Sequence, residues 1–448
     1  MRTPVVAIFD VGKTNKKLFL FDEHYDIVFE RSARFLETVD EDGDPCENLE
    51  SLRLSVFDSL HEVFRLGEFD IKAINFTSYG ASFVYLDESG RPLTPLYNYL
   101  KAYPKVLEER LHSTYGGVEE FSLATASPAL GSLNSGLQLY RIQQEKPEVY
   151  EKMKYAVHLP QYLSFLVSGQ VYSDMTSIGC HTALWDFAKN GYHQWIKDTG
   201  IENKLAPIVK GDEVFSAAFP GSTYKVGVGL HDSSSALIPY LLNFHEPFIL
   251  ISTGTWCISL NPFNDEGLTK EQLEKDCLFY MTYAGTPVKA SRLFAGYEHE
   301  VQTKRIAEHF QVTTGRFKHI EIDWKIIDKL SAGRAIPTNL DAFGQVDLSS
   351  FVDYVEAYHA FMIYLVAAQV ASTRLILAEK RIKRIFVDGG FSKNSIFMNL
   401  LARTFGNIEI YAASMAQATA IGAALVIHDQ WNTQPVPSDI IELRYYRA

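Results

Sequence analysis

Asp10, Gly12, Lys13, Thr14 and Lys17 stand in one short stretch, DVGKTNKK, with the right groups to grip a phosphate. A turn at Gly12 lets backbone N–H groups approach an anion, and Lys13, Thr14 and Lys17 add charge and a hydroxyl. Asp10 would repel that phosphate unless a divalent cation or its water lay between them. Mg2+ is therefore the economical reading, and a carboxylate that only stabilises the turn is the alternative. Ser252, Thr253, Gly254 and Thr255 form a second, neutral donor set, and two such clasps suit a polyphosphate better than a monophosphate. Between them lies Gly229-Leu230-His231-Asp232. Placed at a helix N-terminus, Asp232 would be held ionised by the helix dipole. It could then take the proton of a sugar or alcohol hydroxyl attacking phosphorus, with His231 hydrogen-bonded to the same substrate. A simple N-cap is the competing reading of that pair.

Three look-alikes fail on position. Gly12-Lys13-Thr14 ends like a P-loop, but Ala7 stands where its first glycine belongs and a strand follows where a helix is required. Asp40, Asp42 and Asp44 begin like a calcium loop, but its sixth position is Pro45 and its twelfth Ser51, so a solvated acidic loop is expected. Gly227 and Gly229 begin like a dinucleotide fingerprint whose closing position is Asp232.

The elements that must hold these residues alternate between strand and helix. Val5 to Phe9 and Leu18 to Phe21 are apolar runs around the polar Asp10 to Lys16, the pattern of a hairpin. Phe248 to Ile251 and Trp256 to Leu260 repeat it, with Gly254 where Gly12 fell, which suggests two duplicated α/β halves facing one cleft. Helices are expected over Leu137 to Gln144, Val149 to Met153 and Leu159 to Val167, the last stopped by Gly169. A long helix is expected over Asp353 to Lys380, then a strand Ile385 to Val387 and the pair Gly389-Gly390. The next helix would start at an N-cap near Ser392 and run to Phe405. A last helix, Gln417 to Ile427, carries Ala420, Ala423 and Ala424 at helical spacing, a surface for close packing. The halves divide near Pro239 to Pro247, giving expected domains of residues 1–240 and 241–448.

Composition narrows the partners. The 448 residues suggest two or three domains, and 42 basic against 54 acidic side chains leave a net charge of −12 that disfavours nucleic acid and acidic membranes. Cys46, Cys180, Cys257 and Cys277 lack metal-site spacing and read as reduced thiols. The N-terminal apolar run is cut by Asp10, too soon for a signal peptide, and Phe361 to Val370 is too short for a membrane span. A cytoplasmic protein is expected.

Five segments occur in the order seen in FGGY carbohydrate kinases. They are Asp10-Val11-Gly12-Lys13-Thr14 with Lys17, Gly229 to Asp232, Ser252 to Trp256, Asp388 to Asn394, and Gln417 to Ala424. The resemblance spans nearly the whole chain and runs toward rhamnulokinase- and fuculokinase-like members, whose sugar-side segments are similar to Ser78 to Val84 and Leu96 to Tyr99. It implies two ribonuclease-H-like, actin-like α/β domains with ATP and a ketose in the cleft, and it is compatible with a homodimer. It implies Asp232 as general base and Asp10 as a Mg2+ holder. Gly12, Lys13, Thr14, Lys17, Thr253, Gly254 and Thr255 would serve the phosphates, and Gly389, Gly390 and Asn394 the adenosine. Tyr79, Gly80, Ala81, Asn98 and His231 would serve the sugar. The chain departs from the family at Lys13, where Thr, Ser or Ala is usual, at Ser82 in place of Asp, and at Leu100 in place of Arg. Tyr283 to Ser349 is short, with a loose match at Arg292, Leu293 and Gly296. The expected reaction is ATP-dependent phosphorylation of a ketose such as L-rhamnulose, L-fuculose or a related pentulose at a primary hydroxyl. A non-catalytic sugar or nucleotide sensor and a sugar-independent actin-like ATPase are the alternatives on the same fold.

Overall fold

A computed structural model describes residues 2–13, 15–34, 37–332, 337–377 and 382–447. Thr14, assigned above to the first clasp, lies outside them. Two seven-stranded sheets dominate the chain. The first contains β1 (Thr3–Val11), β2 (Lys16–Phe21), β3 (Ile27–Ala33), β4 (Phe69–Ser78), β5 (Val214–Ser216) and β6 (Lys225–Gly227) in the order β5-β6-β4-β1-β2-β3. A short β7 (Leu230–His231) also pairs with β4. The second contains β8 (Phe248–Thr253), β9 (Cys257–Asn261), β10 (Cys277–Met281), β11 (Pro287–Leu293), β12 (Arg384–Gly389), β13 (Glu409–Ser414) and β14 (Glu442–Tyr446), ordered β10-β11-β9-β8-β12-β13-β14.

The repeated hairpin grammar corresponds to repeated topology. β1 runs antiparallel to β2 and parallel to β4, while β8 runs antiparallel to β9 and parallel to β12. Both central strands are unbroken apolar runs because both of their faces are covered. On one face of β1, Val5, Ala7 and Phe9 pack with Leu52, Val56 and Leu60 of α1 (Leu49–Leu66). On the other, Val6 and Ile8 join Phe19 and Phe21 of β2.

That second face is covered from far along the chain. Ala420, Ala423 and Ala424 of α8 (Ala418–Leu425) share the core of Val6 and Ile8, so the alanine stripe serves strand packing across the molecule. Conversely, Leu237 and Tyr240 of α4 (Asp232–Asn243) pack on Phe248 and Leu250 of the second sheet. The two helices meet where Ser235 Oγ donates to Thr419 O at 2.8 Å, and a Cβ on Gly422 would lie 1.9 Å from Ser235 O. Gly422→Ala should therefore force the helices apart and cost about 1–3 kcal/mol of stability. A chemical-denaturation midpoint equal to the parent's would show that the crossing yields freely.

Two expected boundaries and one expected loop change. The helix from Asp353 ends earlier, as α6 (Tyr354–Arg374), where the Nδ2 groups of Asn261 and Asn264 both donate to Ile376 O and divert the chain. The expected end at Lys380 lies outside the described residues. Ser392 is not an N-cap: it sits in a 3₁₀ turn, Gly390–Lys393, with its Oγ donating to Gly389 O. Asn394 caps α7 (Ser395–Thr404) instead, its Oδ1 accepting from Phe397 N. The acidic loop is not simply solvated either. Lys101 Nζ lies 2.5, 2.7 and 3.1 Å from carboxylate oxygens of Asp40, Asp42 and Asp44, so an ammonium group occupies their centre. Among the described residues no helix is long and apolar enough to cross a membrane.

Candidate active site

Register brings the first group of site residues together. Val11 and His231 both pair with Ser78, so β1, β4 and β7 end side by side and deliver Gly12, Tyr79 and Asp232 to one sheet edge. The carboxyl ends of parallel strands are where open α/β sheets place ligands. Asp10 pairs with Lys17 across the hairpin, on the same face as Ile8 and Phe19. Its Oδ2 accepts from Thr419 Oγ1 of α8 at 2.7 Å, and its other oxygen has no hydrogen bond among the described residues. Burial, and secondarily the nearby Asp232 charge, push the Asp10 pKa up to about 6.

Asp232 opens α4, one place beyond the expected cap, and its Oδ1 accepts from its neighbour Ser233 N at 2.6 Å. Burial outweighs the helix terminus: the Asp232 pKa also rises to about 6, a correction to the dipole argument. About a third of its side chain, 34%, stays open. His231 is buried and its pKa falls to about 3, so it is neutral at pH 7. Its Nε2 lies 3.3 Å from Asp232 Oδ1 and 3.1 Å from Cys180 Sγ, and its Nδ1 is buried without a partner among the described residues. Gly80 makes room for that ring, since a Cβ there would come within 2.7 Å of it. Ala81 takes a left-handed backbone conformation at φ 61°.

Tyr79 is buried, with its ring 5.8 Å from that of Tyr99. Tyr99 was not singled out in the sequence, yet the charges of Lys13 and Asp232 both act on its hydroxyl. Asn98, assigned to the sugar, lines a space shared with Gln138, which donates to Ala81 O. Asn98 Oδ1 accepts from Leu100 N, and the space, a cavity of about 30 Å3, is also lined by Lys101, Arg141 and Lys146. Such a space holds a water molecule. The lysines of the first turn are engaged: Lys13 Nζ is 3.0 Å from Glu37 Oε1, and Lys17 Nζ is 2.8 Å from Glu30 Oε1.

The second hairpin faces a larger space. A cavity of about 770 Å3 is lined by Thr253, Gly254, Gly390 and Asn394, joined by His299 and Glu300 of α5 (Ala295–His309), which sequence reading missed. Thr255 and Gly389 adjoin this lining. The volume falls in the range of nucleotide-sized sites. Gly389, at φ 87°, turns the chain where a Cβ would meet Thr253 O at 2.0 Å, and Gly296 lets α5 press onto the hairpin, 1.8 Å from Gly254 O by the same construction. Some expected ligand groups are spent on bracing. Thr253 Oγ1 donates to Asp388 O and accepts from Phe391 N, while Asn394 Nδ2 donates to Tyr358 OH. The amides of Gly12 and Gly254 each close their own turn, on Asn15 O and Trp256 O. Each glycine amide is therefore used in shaping its own turn.

Comparison with known proteins covers both halves of the chain. Residues 5–238 match the FGGY family of carbohydrate kinases, N-terminal domain, and residues 245–435 match carbohydrate kinase FGGY, C-terminal domain. A rhamnulokinase of Mannheimia succiniciproducens is 22% identical over 275 residues, 58% of this chain and 55% of that protein. One of Halalkalibacterium halodurans is 22% identical over 258 residues, 55% of this chain and 52% of the other, so the chain spans about half the length of these two relatives. A rhamnulokinase of Oceanobacillus iheyensis is 23% identical over 386 residues, 79% of this chain and 77% of its own. Among solved structures, a carbohydrate kinase from Novosphingobium aromaticivorans superposes with a TM-score of 0.81 at 25% identity, covering 98% of this chain and 96% of its own. A ligand-bound xylulose kinase from Lactobacillus acidophilus, at 15% identity and TM-score 0.77 over 99% and 93% of the two chains, shares the fold.

Proposed function

The chain belongs to the FGGY family of carbohydrate kinases, with the two actin-like, ribonuclease-H-like α/β domains of its structural relatives, and on that premise we propose that it phosphorylates a ketose with ATP. The observation that carries this reading is the meeting of Asp10 and Asp232, both at pKa about 6, at a sheet edge also occupied by a glycine turn. We assign residues 1–240 to the acceptor and phosphate side and 241–448 to the nucleotide side, with α4 and α8 exchanged between them.

Phosphoryl transfer asks a protein for alignment and for neutralisation of charge rather than covalent chemistry. Asp232 is ionised at pH 7 yet basic enough to take the acceptor hydroxyl proton, and its open third is the route to it. Neutral His231 holds a ring nitrogen beside Asp232 and offers the sugar a hydrogen bond. Asp10 fits Mg2+: it has hard oxygens, one fixed by Thr419 and one without a donor among the described residues, in a place where a second carboxylate raises the local negative charge. Bound there, Mg2+ would neutralise phosphate charge. The 770 Å3 cavity is the nucleotide site in this reading.

The acceptor class is a deoxyketohexose or pentulose phosphorylated at its primary hydroxyl, supported by the rhamnulokinases at 22–23% identity. The test is ADP release over L-rhamnulose, L-fuculose, L-ribulose, D-ribulose, D-xylulose and erythrulose with Mg2+-ATP. One ketose should stand out. Hydrolysis independent of every sugar would replace the kinase with an ATPase, and nucleotide binding without turnover would point to a sensor.

A further inference from the structure

Lys13 gives the first turn a cation whose two partners are unequal. Its Nζ lies 3.0 Å from Glu37 Oε1 and 3.8 Å from Glu47 Oε1. Glu47 is buried and already neutralised by Lys16 Nζ at 2.9 Å, and Lys16 also donates to Lys13 O, so this pair stitches the turn from beneath. Glu37 is different. Its side chain is 48% exposed and pairs only with Lys13 among the described residues. An ion pair so open to solvent is weak and easily exchanged. Lys13 is thus a point charge held by a partner that gives it up cheaply.

Tyr99 lies in the field of both the Lys13 ammonium and the Asp232 carboxylate, and its ring adjoins Tyr79. Lys13 also follows Gly12 directly where β1 ends level with β4 and β7, the strands that lead into Tyr79 and Asp232.

We propose that Lys13 is a phosphoryl-binding residue that leaves Glu37 for the γ-phosphoryl oxygens as the group passes to the acceptor. The proposal rests on the kinase reading of this site. In the step, Asp232 takes the hydroxyl proton, the acceptor oxygen forms its bond to phosphorus, and the bond to the β,γ-bridging oxygen breaks with its electron pair left on ADP. Lys13 stays protonated throughout and donates to the equatorial oxygens, where negative charge is shared in transit. A Thr or Ser in its place would offer a hydroxyl but no charge.

The test pairs Lys13→Met with Glu37→Gln. Calorimetric titration of each with the Mg2+ complexes of ADP and of the β,γ-imido analogue of ATP isolates the contribution of the third phosphate. In Lys13→Met the preference for the analogue over ADP should fall by about tenfold while ADP affinity stays within twofold, and kcat should fall by roughly 10²-fold with the sugar KM little changed. Glu37→Gln frees the lysine without disturbing the Lys16–Glu47 stitch, so it should strengthen the preference, and this arm stands if Lys13→Met fails to fold. An unchanged preference and kcat in folded Lys13→Met would overturn the proposal, as would an unchanged preference in Glu37→Gln should the first variant be unfolded. A parent protein that binds neither nucleotide would instead overturn the kinase reading, and the proposal with it.

Discussion

Asp232→Asn is expected to abolish sugar-dependent turnover by roughly 10²- to 10⁴-fold while making the protein more stable at pH 8. The two effects share one cause. Asn keeps the size of the side chain and can still accept from Ser233 N, but it cannot take a proton from the acceptor hydroxyl. The sign of the stability change follows from burial. In the unfolded chain an Asp titrates near 3.9, whereas Asp232 holds its proton up to about 6 in the folded one. Between those values the folded state binds the extra proton, so this site favours folding in acid and opposes it as pH rises through 6. Removing the carboxylate removes the opposition above pH 6. The parent should show an acid limb in kcat/KM with a midpoint near 6. Because Asp10 titrates in the same range and feels Asp232, that limb belongs to the pair. A folded Asp232→Asn with turnover near the parent's, or a flat profile between pH 5 and 7, would remove the base assignment.

Asp10→Asn should lower turnover by about 10²-fold and raise the Mg2+ concentration needed for half-maximal rate, since a charged oxygen beside the phosphate turn is replaced by a neutral one. The substitution is mild for the fold because an Asn Oδ1 can still accept from Thr419 Oγ1. Thr419→Ala separates charge from positioning. That hydroxyl lowers the Asp10 pKa against burial, so its loss should move the acid limb toward neutral pH while leaving the carboxylate in place. A Mg2+ titration of Asp10→Asn that overlays the parent's would exclude the metal role.

Both hairpins were legible because five or so apolar residues on either side of a polar glycine turn leave the chain few alternatives. The order of the motifs was legible too, and register did the rest by ending β1, β4 and β7 level. What escaped depends on contacts distant in sequence. Thr419 reaches Asp10 across 409 positions, and within the helix pattern it read only as packing. Cys180 meets His231 across 51 positions, with no motif to announce it. Asn98 and Tyr99 are neighbours in a tight turn closed by Lys101 N on Asn98 O, where adjacent side chains diverge with no periodicity to sort them. Lys101 hid the nature of the acidic loop for the same reason: the carboxylates stand together in the sequence, but the cation comes from 57 to 61 positions away, as 101 − 44 and 101 − 40 show. Asn394 displaced Ser392 as cap because Gly389, with its positive φ, let the chain make one more tight turn before the helix began.

The exchanged helices set a timetable for biosynthesis. Val6, Ile8, Phe19 and Phe21 are made some 400 residues before Ala420, Ala423 and Ala424, which cover them. At 5–20 residues per second the ribosome takes roughly 20–80 s to supply that cover. Through this interval the face of β1 and β2 has only the earlier members of its core, Tyr25, Ala73, Leu230 and Ile238, to lie against, so the first sheet completes its packing only when the last helix has been made.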